Sequence, residues 1–198
     1  MNTGATTTSI LLRQFVQEDR PDLFFEIDQR YRPILLGFAR RSGFSAEESE
    51  DIAQETLMRV AKSAAQFDSS KGRLKSWLFQ IARNCVVDAH RSRGRRRYWR
   101  GESAIEELAL DEDGFEASWE RECKATIFRL ALEELRATTR TDERTLQAFE
   151  RVALKQEDAE VVARELEMTA AQVYVAKSRC LLKLRPIVER LIQVYELE

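Results

Sequence analysis

The densest chemistry in this 198-residue chain is cationic. From Arg83 to Arg100 there are seven arginines and one acid, Asp88, and the run RGRRRYWR sets Tyr98 and Trp99 among them. So many like charges repel one another unless an anion neutralises them, and a nucleic-acid backbone is the commonest such anion. Directly downstream, Glu102 to Glu122 carries nine acids and one arginine. A third block, Thr169 to Arg185, holds Lys177, Arg179, Lys183 and Arg185 and no acid. The net charge of −2 therefore hides two basic stretches separated by an acidic one, which reads either as a solvated linker or as a screen for the arginines.

Other chemistries have few players. One histidine, His90, and the absence of GxGxxG, GxxxxGK[ST] and HExxH strings leave little for triad, nucleotide or zinc catalysis, so no enzyme, no metal and no cofactor is expected. Cys85, Cys123 and Cys180 are widely spaced and odd in number, which suggests three small core residues rather than disulfides or a zinc knuckle. No apolar run approaches the roughly 20 residues of a membrane span, and MNTGATTTSI has neither a basic nor a continuous hydrophobic start. A cytoplasmic protein without membrane insertion is expected. With 43% hydrophobic residues, 7 Gly and 3 Pro, the composition is that of a helix-rich protein and argues against a turn-rich β-sandwich.

Helical periodicity shows which elements must position these charges. Ser45-Ala46-Glu47-Glu48 is a capping box, so a helix is expected from about Ala46 to Gln66. Its stripe of Ile52, Ala53, Leu57, Val60, Ala61 and Ala64 faces inward, which leaves Asp51, Gln54, Glu55, Met58 and Lys62 on the other side. Phe67 to Arg73 reads as a loop from its Asp, Ser and Gly content. After it, Leu74, Trp77, Leu78, Ile81, Ala82, Cys85, Val86 and Ala89 keep helical spacing, with Trp77 placed in the core and Lys75, Arg83, Asn84, Val87, Asp88 and Arg91 opposite. Upstream, Ile10 to Val16 and Asp22 to Arg41 are two more helices, the second expected to kink or break between Gln29 and Pro33.

In the C-terminal half, Phe115 to Leu135 reads as a helix anchored by Trp119, Cys123, Ile127 and Leu130, and Thr141 as the cap of another reaching about Leu154. Asp158 to Arg185 then has the form of a helix-turn-helix: Val162, Ala163 and Leu166 on a short helix, a turn at Glu167-Met168, and Thr169 capping a second helix with Val173, Ala176 and Cys180. Any tight αα-hairpin shares this pattern. In a helix-turn-helix the second helix enters the major groove.

Two stretches resemble the extracytoplasmic-function (ECF) group of bacterial sigma factors, the initiation subunits of RNA polymerase. SAEESEDIAQETLMRVAKSAAQFDSSKGRLKSWLFQIARNCVVDAHRSRGRRR is similar to their region 2, and DAEVVARELEMTAAQVYVAKSRCLLKLR to their region 4. The resemblance implies an all-α protein of two small helical domains, 1–100 and 123–198, joined by an acidic linker at 101–122, with no middle domain. It implies core RNA polymerase and promoter DNA as partners and admits an anti-sigma factor as a third. Asp51, Gln54, Glu55 and Met58 then fall on the polymerase-binding segment. Phe67, Ser69, Ser70, Lys71, Arg73 and Asn84 fall where a flipped −10 base is held. Arg83, Arg91, Arg93, Arg95, Arg96 and Arg97 would grip phosphates around the melted junction.

In region 4, Ala171, Gln172, Val175 and Ala176 fall nearest the −35 bases, and Gln172 alone of these offers paired hydrogen bonding to an adenine. Thr169, Tyr174, Lys177, Ser178, Arg179 and Lys183 are better placed for the backbone. The chain departs from the family in two places: Glu167 stands where a turn Gly is usual, and Val175 and Ala176 stand where several members carry basic residues. Two other functions fit the residues without the resemblance. One is a free-standing helix-turn-helix regulator binding operators as a dimer, and the other is a helical RNA-binding adaptor.

Overall fold

The computed structural model describes residues 7–18, 20–99, 112–138 and 142–197, apart from the side chains of 96–99, 112 and 138. It is all-α, as expected. Helices α1 (Thr8–Glu18), α2 (Pro21–Arg41), α3 (Ala46–Ser63) and α4 (Leu74–Trp99) follow the sequence periodicity, and a 3₁₀ turn at Ala64–Gln66 ends α3. The capping box forms: the Glu48 amide donates to Ser45 Oγ at 3.2 Å and the Ser45 amide to Glu48 Oε2 at 3.0 Å. Then come α5 (Glu112–Thr138), α6 (Glu143–Phe149) continuing as a π-turn at Glu150–Leu154, α7 (Ala159–Glu165) and α8 (Ala170–Tyr195).

Three expectations are corrected. Helix α2 runs unbroken through Pro33, where the ring removes one donor but Ile27, Tyr31, Ile34, Leu35 and Phe38 are all buried along one side and hold the helix in place. Trp77 is half-buried rather than in the core, with its ring 5.2 Å from Phe67. Helix α6 is capped by Asp142, which accepts from the Thr145 amide at 2.9 Å; Thr141, the expected cap, lies outside the described residues.

The chain divides into two units: Met1–Thr126 with Gln193–Glu198, and Ile127–Ile192. The core of the first gathers around Phe38 of α2. Its ring lies 6.1 Å from Phe79 of α4, and 6.1 and 5.5 Å from Phe115 and Trp119 of α5, the last perpendicular, in the edge-to-face geometry that aromatic quadrupoles favour. Residues 112–122, which the sequence suggests as part of a linker, are thus the opening turns of α5, with Phe115 and Trp119 buried. The rest of the expected acidic linker, up to Asp111, lies outside the described residues. At Gly37 the Glu122 side chain of α5 lies where a Cβ would stand, and a larger residue would have to push aside that flexible carboxylate, which pairs with Arg41.

The second unit closes over Ala148, Val162, Ala163, Val173 and Ala176, with Val152, Leu166 and Met168 packed against them. Helix α7 ends in a Schellman motif. The Met168 amide bonds the Ala163 carbonyl at 2.8 Å and the Glu167 amide the Arg164 carbonyl at 3.4 Å, while Glu167 takes φ +52°. This left-handed position is one that glycine takes without strain, and a non-Gly residue there costs roughly 1 kcal/mol.

Candidate nucleic-acid interface

Two faces of the first unit carry its candidate residues. On α3, Asp51, Gln54 and Met58 are exposed and recur at i, i+3 and i+7, a continuous polar ridge with a methionine at its end. Glu55 lies in the same row, but its carboxylate is already engaged by Arg59 at 2.7 Å, and Arg59 reaches Asp88 of α4 at 3.0 Å. The hydrogen bonds that Arg59 donates to Glu55 and then to Asp88 raise its pKa above the ordinary value. Glu55 is therefore half structural, tying α3 to α4.

The loop after α3 is organised by Asp68. Its carboxylate accepts from the Ser70 amide at 2.9 Å and the Ser70 hydroxyl at 2.7 Å, and those bonds hold its pKa below the usual carboxylate value. This Asx turn projects Ser69, Lys71 and Arg73 into solvent and keeps Phe67 half-buried. A cavity of about 290 Å³ adjoins the loop, with Phe67, Asp68 and Ser69 on one side and Leu12, Arg13 and Gln17 of α1 on the other. Sequence reasoning missed the α1 residues, because only the fold brings them to the loop.

Along α4, Gln80, Asn84, Asp88, Arg91 and Arg95 form one exposed row, whereas Arg83 is partly buried. Gln80, one turn before Asn84, was also missed; the signal was its i−4 spacing. Arg93 departs from the expected role. Its Nη1 donates to the Gly43 carbonyl at 3.0 Å and its guanidinium sits 5.9 Å from the Phe44 ring, so it fastens the α2–α3 turn to α4. The Phe44 ring also packs 4.4 Å from His90. The side chains of Arg96, Arg97, Tyr98 and Trp99 lie outside the described residues.

In the second unit, Asp158 caps α7 through the Glu160 and Val161 amides, and Thr169 opens α8. The Gln172 amide donates to Thr169 Oγ1 at 3.2 Å and the Thr169 amide to Gln172 Oε1 at 2.8 Å. Ala171, Gln172, Tyr174, Val175, Ser178, Arg179 and Lys183 are exposed and Lys177 is half-buried. Ala176 is not at the surface: it is 3% exposed and packs in the core, because i+3 from Val173 returns to the buried face. A second cavity of about 290 Å³ is bounded by Asp142, Arg144, Glu167, Gln172, Val175 and Arg179. Arg144, another residue that sequence reasoning missed, donates to the Leu166 carbonyl of the turn at 3.3 Å and puts a second cation beside Arg179.

The arrangement offers guanidinium groups, amides and an apolar rim, which suits polyanions. Among the described residues no group of His, Cys, Asp and Glu is placed to hold a metal ion, and no helix is long and apolar enough to cross a membrane. All three cysteines are buried and unpaired, and burial pushes the Cys123 thiol up to about 12.

Residues 27–96 match the family model described as Sigma-70 region 2. The chain is 33% identical over 86 residues to the ECF RNA polymerase sigma factor RpoE of Cereibacter sphaeroides, an alignment covering 43% of this chain and 48% of that protein. It is 37% identical over 84 residues to SigG of Mycobacterium tuberculosis, covering 42% and 22%, and 31% identical over 100 residues to SigD of Mycobacterium bovis, covering 50% and 43%. The chain thus spans less than half the length of these curated relatives.

Proposed function

We propose that this chain, whose residues 27–96 match the family model described as Sigma-70 region 2 and which is similar over 86 residues to an ECF RNA polymerase sigma factor, is a promoter-specificity subunit of RNA polymerase, with no catalytic step of its own. The observation that carries this reading is the pairing, on one unit, of the exposed α3 ridge of Asp51, Gln54 and Met58 with the row of Asn84, Arg91 and Arg95 on α4. The ridge offers a protein partner carboxylate, amide and thioether groups. The α4 row offers DNA an amide that reads a base edge and cations for the flanking phosphates.

In this reading core polymerase docks on α3 and one base of the melted −10 strand leaves the stack. That base is held between the Phe67–Arg73 loop and Asn84, next to the cavity that Arg13 and Gln17 complete. The α7–turn–α8 segment works as a helix-turn-helix on duplex −35 DNA, with Gln172 and Val175 toward the bases and Arg144, Arg179 and Lys183 toward phosphates. Each module alone binds weakly, and polymerase supplies the avidity by fixing their spacing. The site of action is the cytoplasm. An anti-sigma factor, the remaining partner that the resemblance admits, would act by covering the α3 ridge.

The test is run-off transcription from a promoter library with purified core enzyme, paired with copurification. Asp51→Ala with Gln54→Ala is expected to abolish copurification with core polymerase and leave the helical circular-dichroism signal unchanged. Unchanged copurification would remove the α3 assignment.

A further inference from the structure

One acid interrupts the basic row of α4. Between Arg83 and Arg100 seven arginines stand with a single carboxylate, Asp88, which is exposed one turn before Arg91 and two before Arg95. A carboxylate in that row repels the phosphates that its neighbours attract. Asp88 is only partly neutralised. Arg59 of α3 donates through Nη1 to Asp88 Oδ2 at 3.0 Å and through Nε to Glu55 Oε1 at 2.7 Å. Glu55 lies one turn before Arg59 on α3, beside Asp51, Gln54 and Met58 of the exposed ridge. One guanidinium thus joins the two faces, and every group involved lies within the first unit.

The cluster is one cation short. Two carboxylates share a single guanidinium, whose planar fork of donors lets it serve both, so that what Glu55 draws from it Asp88 lacks. The three side chains are between 40 and 52% exposed, which puts each within reach of a partner.

We propose that Arg59 is a positioning residue that couples the ridge on α3 to the basic row on α4: a cationic group of the polymerase that engages Glu55 releases Arg59 to Asp88, and the one repulsive group in the row is neutralised. The proposal rests on the promoter reading above, which supplies the partner on α3. The partner's group is a cation because Asp51 and Glu55 present carboxylates to it. By linkage the coupling runs both ways, since phosphate held at Arg91 and Arg95 favours Arg59 on Asp88 and leaves Glu55 open to the polymerase. Its size is that of an exposed ion pair, roughly a two- to fivefold change in either affinity.

The experiment has two arms, both with the full chain. In the first, without polymerase and at low salt, the protein is titrated against a labelled single-stranded oligodeoxythymidine, a probe that reads phosphate contacts and no base sequence. Glu55→Gln, a substitution on α3 rather than in the basic row, should tighten binding about two- to threefold. In an Arg59→Gln background the same substitution should change nothing, because Glu55 then has no route to Asp88. Circular dichroism and melting curves check the fold of each variant, and a parallel series on Arg59→Met, which keeps most of the aliphatic stem, repeats the comparison. In the second arm the affinity for core polymerase is measured. Asp88→Asn should lower it about two- to threefold, since Arg59 then belongs to Glu55 alone and competes with the polymerase cation. This effect too should vanish in Arg59→Gln.

Two outcomes overturn the coupling. One is oligonucleotide binding that Glu55→Gln leaves unchanged. The other is an effect of equal size with and without Arg59, which would reduce it to the loss of a negative charge. Failure of the parent to bind core polymerase overturns the promoter reading instead, while the first arm, which contains no polymerase, still decides whether Arg59 links α3 to α4.

Discussion

Thr169 and Gln172 exchange hydrogen bonds at the start of α8, each backbone amide donating to the other's side-chain oxygen, at 2.8 and 3.2 Å. The residue best equipped to read a base is therefore also the third residue of a capping box. Its Oε1 is engaged by the helix start, so the DNA contact proposed above falls to Nε2.

These two roles separate in Gln172→Glu. A glutamate at this position keeps the acceptor, so thermal stability should change by less than about 0.5 kcal/mol. The added negative charge on the DNA face should lower transcription from the cognate promoter at least tenfold. Gln172→Ala instead loses the cap and should lower stability by about 1 kcal/mol. A melting curve and a run-off assay on the same preparations distinguish the two.

Arg91 and Arg95 are exposed on α4 and are expected to contact phosphate, whereas Arg93 is committed to the Gly43 carbonyl. Arg91→Ala with Arg95→Ala should lower the slope of log binding against log salt by about 1.4, at about 0.7 per single-strand contact, with stability unchanged. Arg93→Ala should lower stability with a smaller change in slope. The measurement is polymerase-dependent binding of forked DNA between low and moderate salt.

Glu167 holds φ +52° at the end of α7. Glu167→Gly should stabilise the second unit by up to about 1 kcal/mol, through relief of the left-handed backbone cost, less what glycine adds to unfolded-state entropy. A higher melting temperature with unaltered promoter preference is the expected result.

Asp142 is fully exposed, yet its pKa is lowered from the ordinary 3.8, first by the Thr145 hydroxyl and then by the Thr145 amide. A carboxylate with a depressed folded-state pKa contributes stability that is complete above the unfolded value and lost as pH falls through the folded one. Asp142→Asn should therefore flatten the acid limb of the stability profile below about pH 4 and leave neutral pH little affected, because asparagine still caps. Urea titrations at several pH values measure this.

Much of the molecule is legible in its residues. The starts of α3, α7 and α8 follow from Ser45, Asp158 and Thr169 with their partners two or three residues on, and the exposed ridge of Asp51, Gln54 and Met58 follows from helical spacing. The basic row on α4 is legible for the same reason, though its spacing does not reveal that Arg93 is spent on Gly43, fifty positions away. Ala176 illustrates the converse, since a small residue fits either face and only the core of the second unit decides which.

The sequence by itself determined where helices begin, which side of each is apolar and where cations concentrate, because capping bonds and the 3.6-residue period act within one or two turns. Tertiary structure alone decided that the acidic opening of α5 belongs to a core around Phe38, that Arg13 and Gln17 border the Phe67 loop, and that Val194 and Tyr195 find partners on Thr8 and Tyr31. Those pairings join residues 50 to 186 positions apart. A charge pattern does not encode them, because burial is decided by which distant side chains exclude water together.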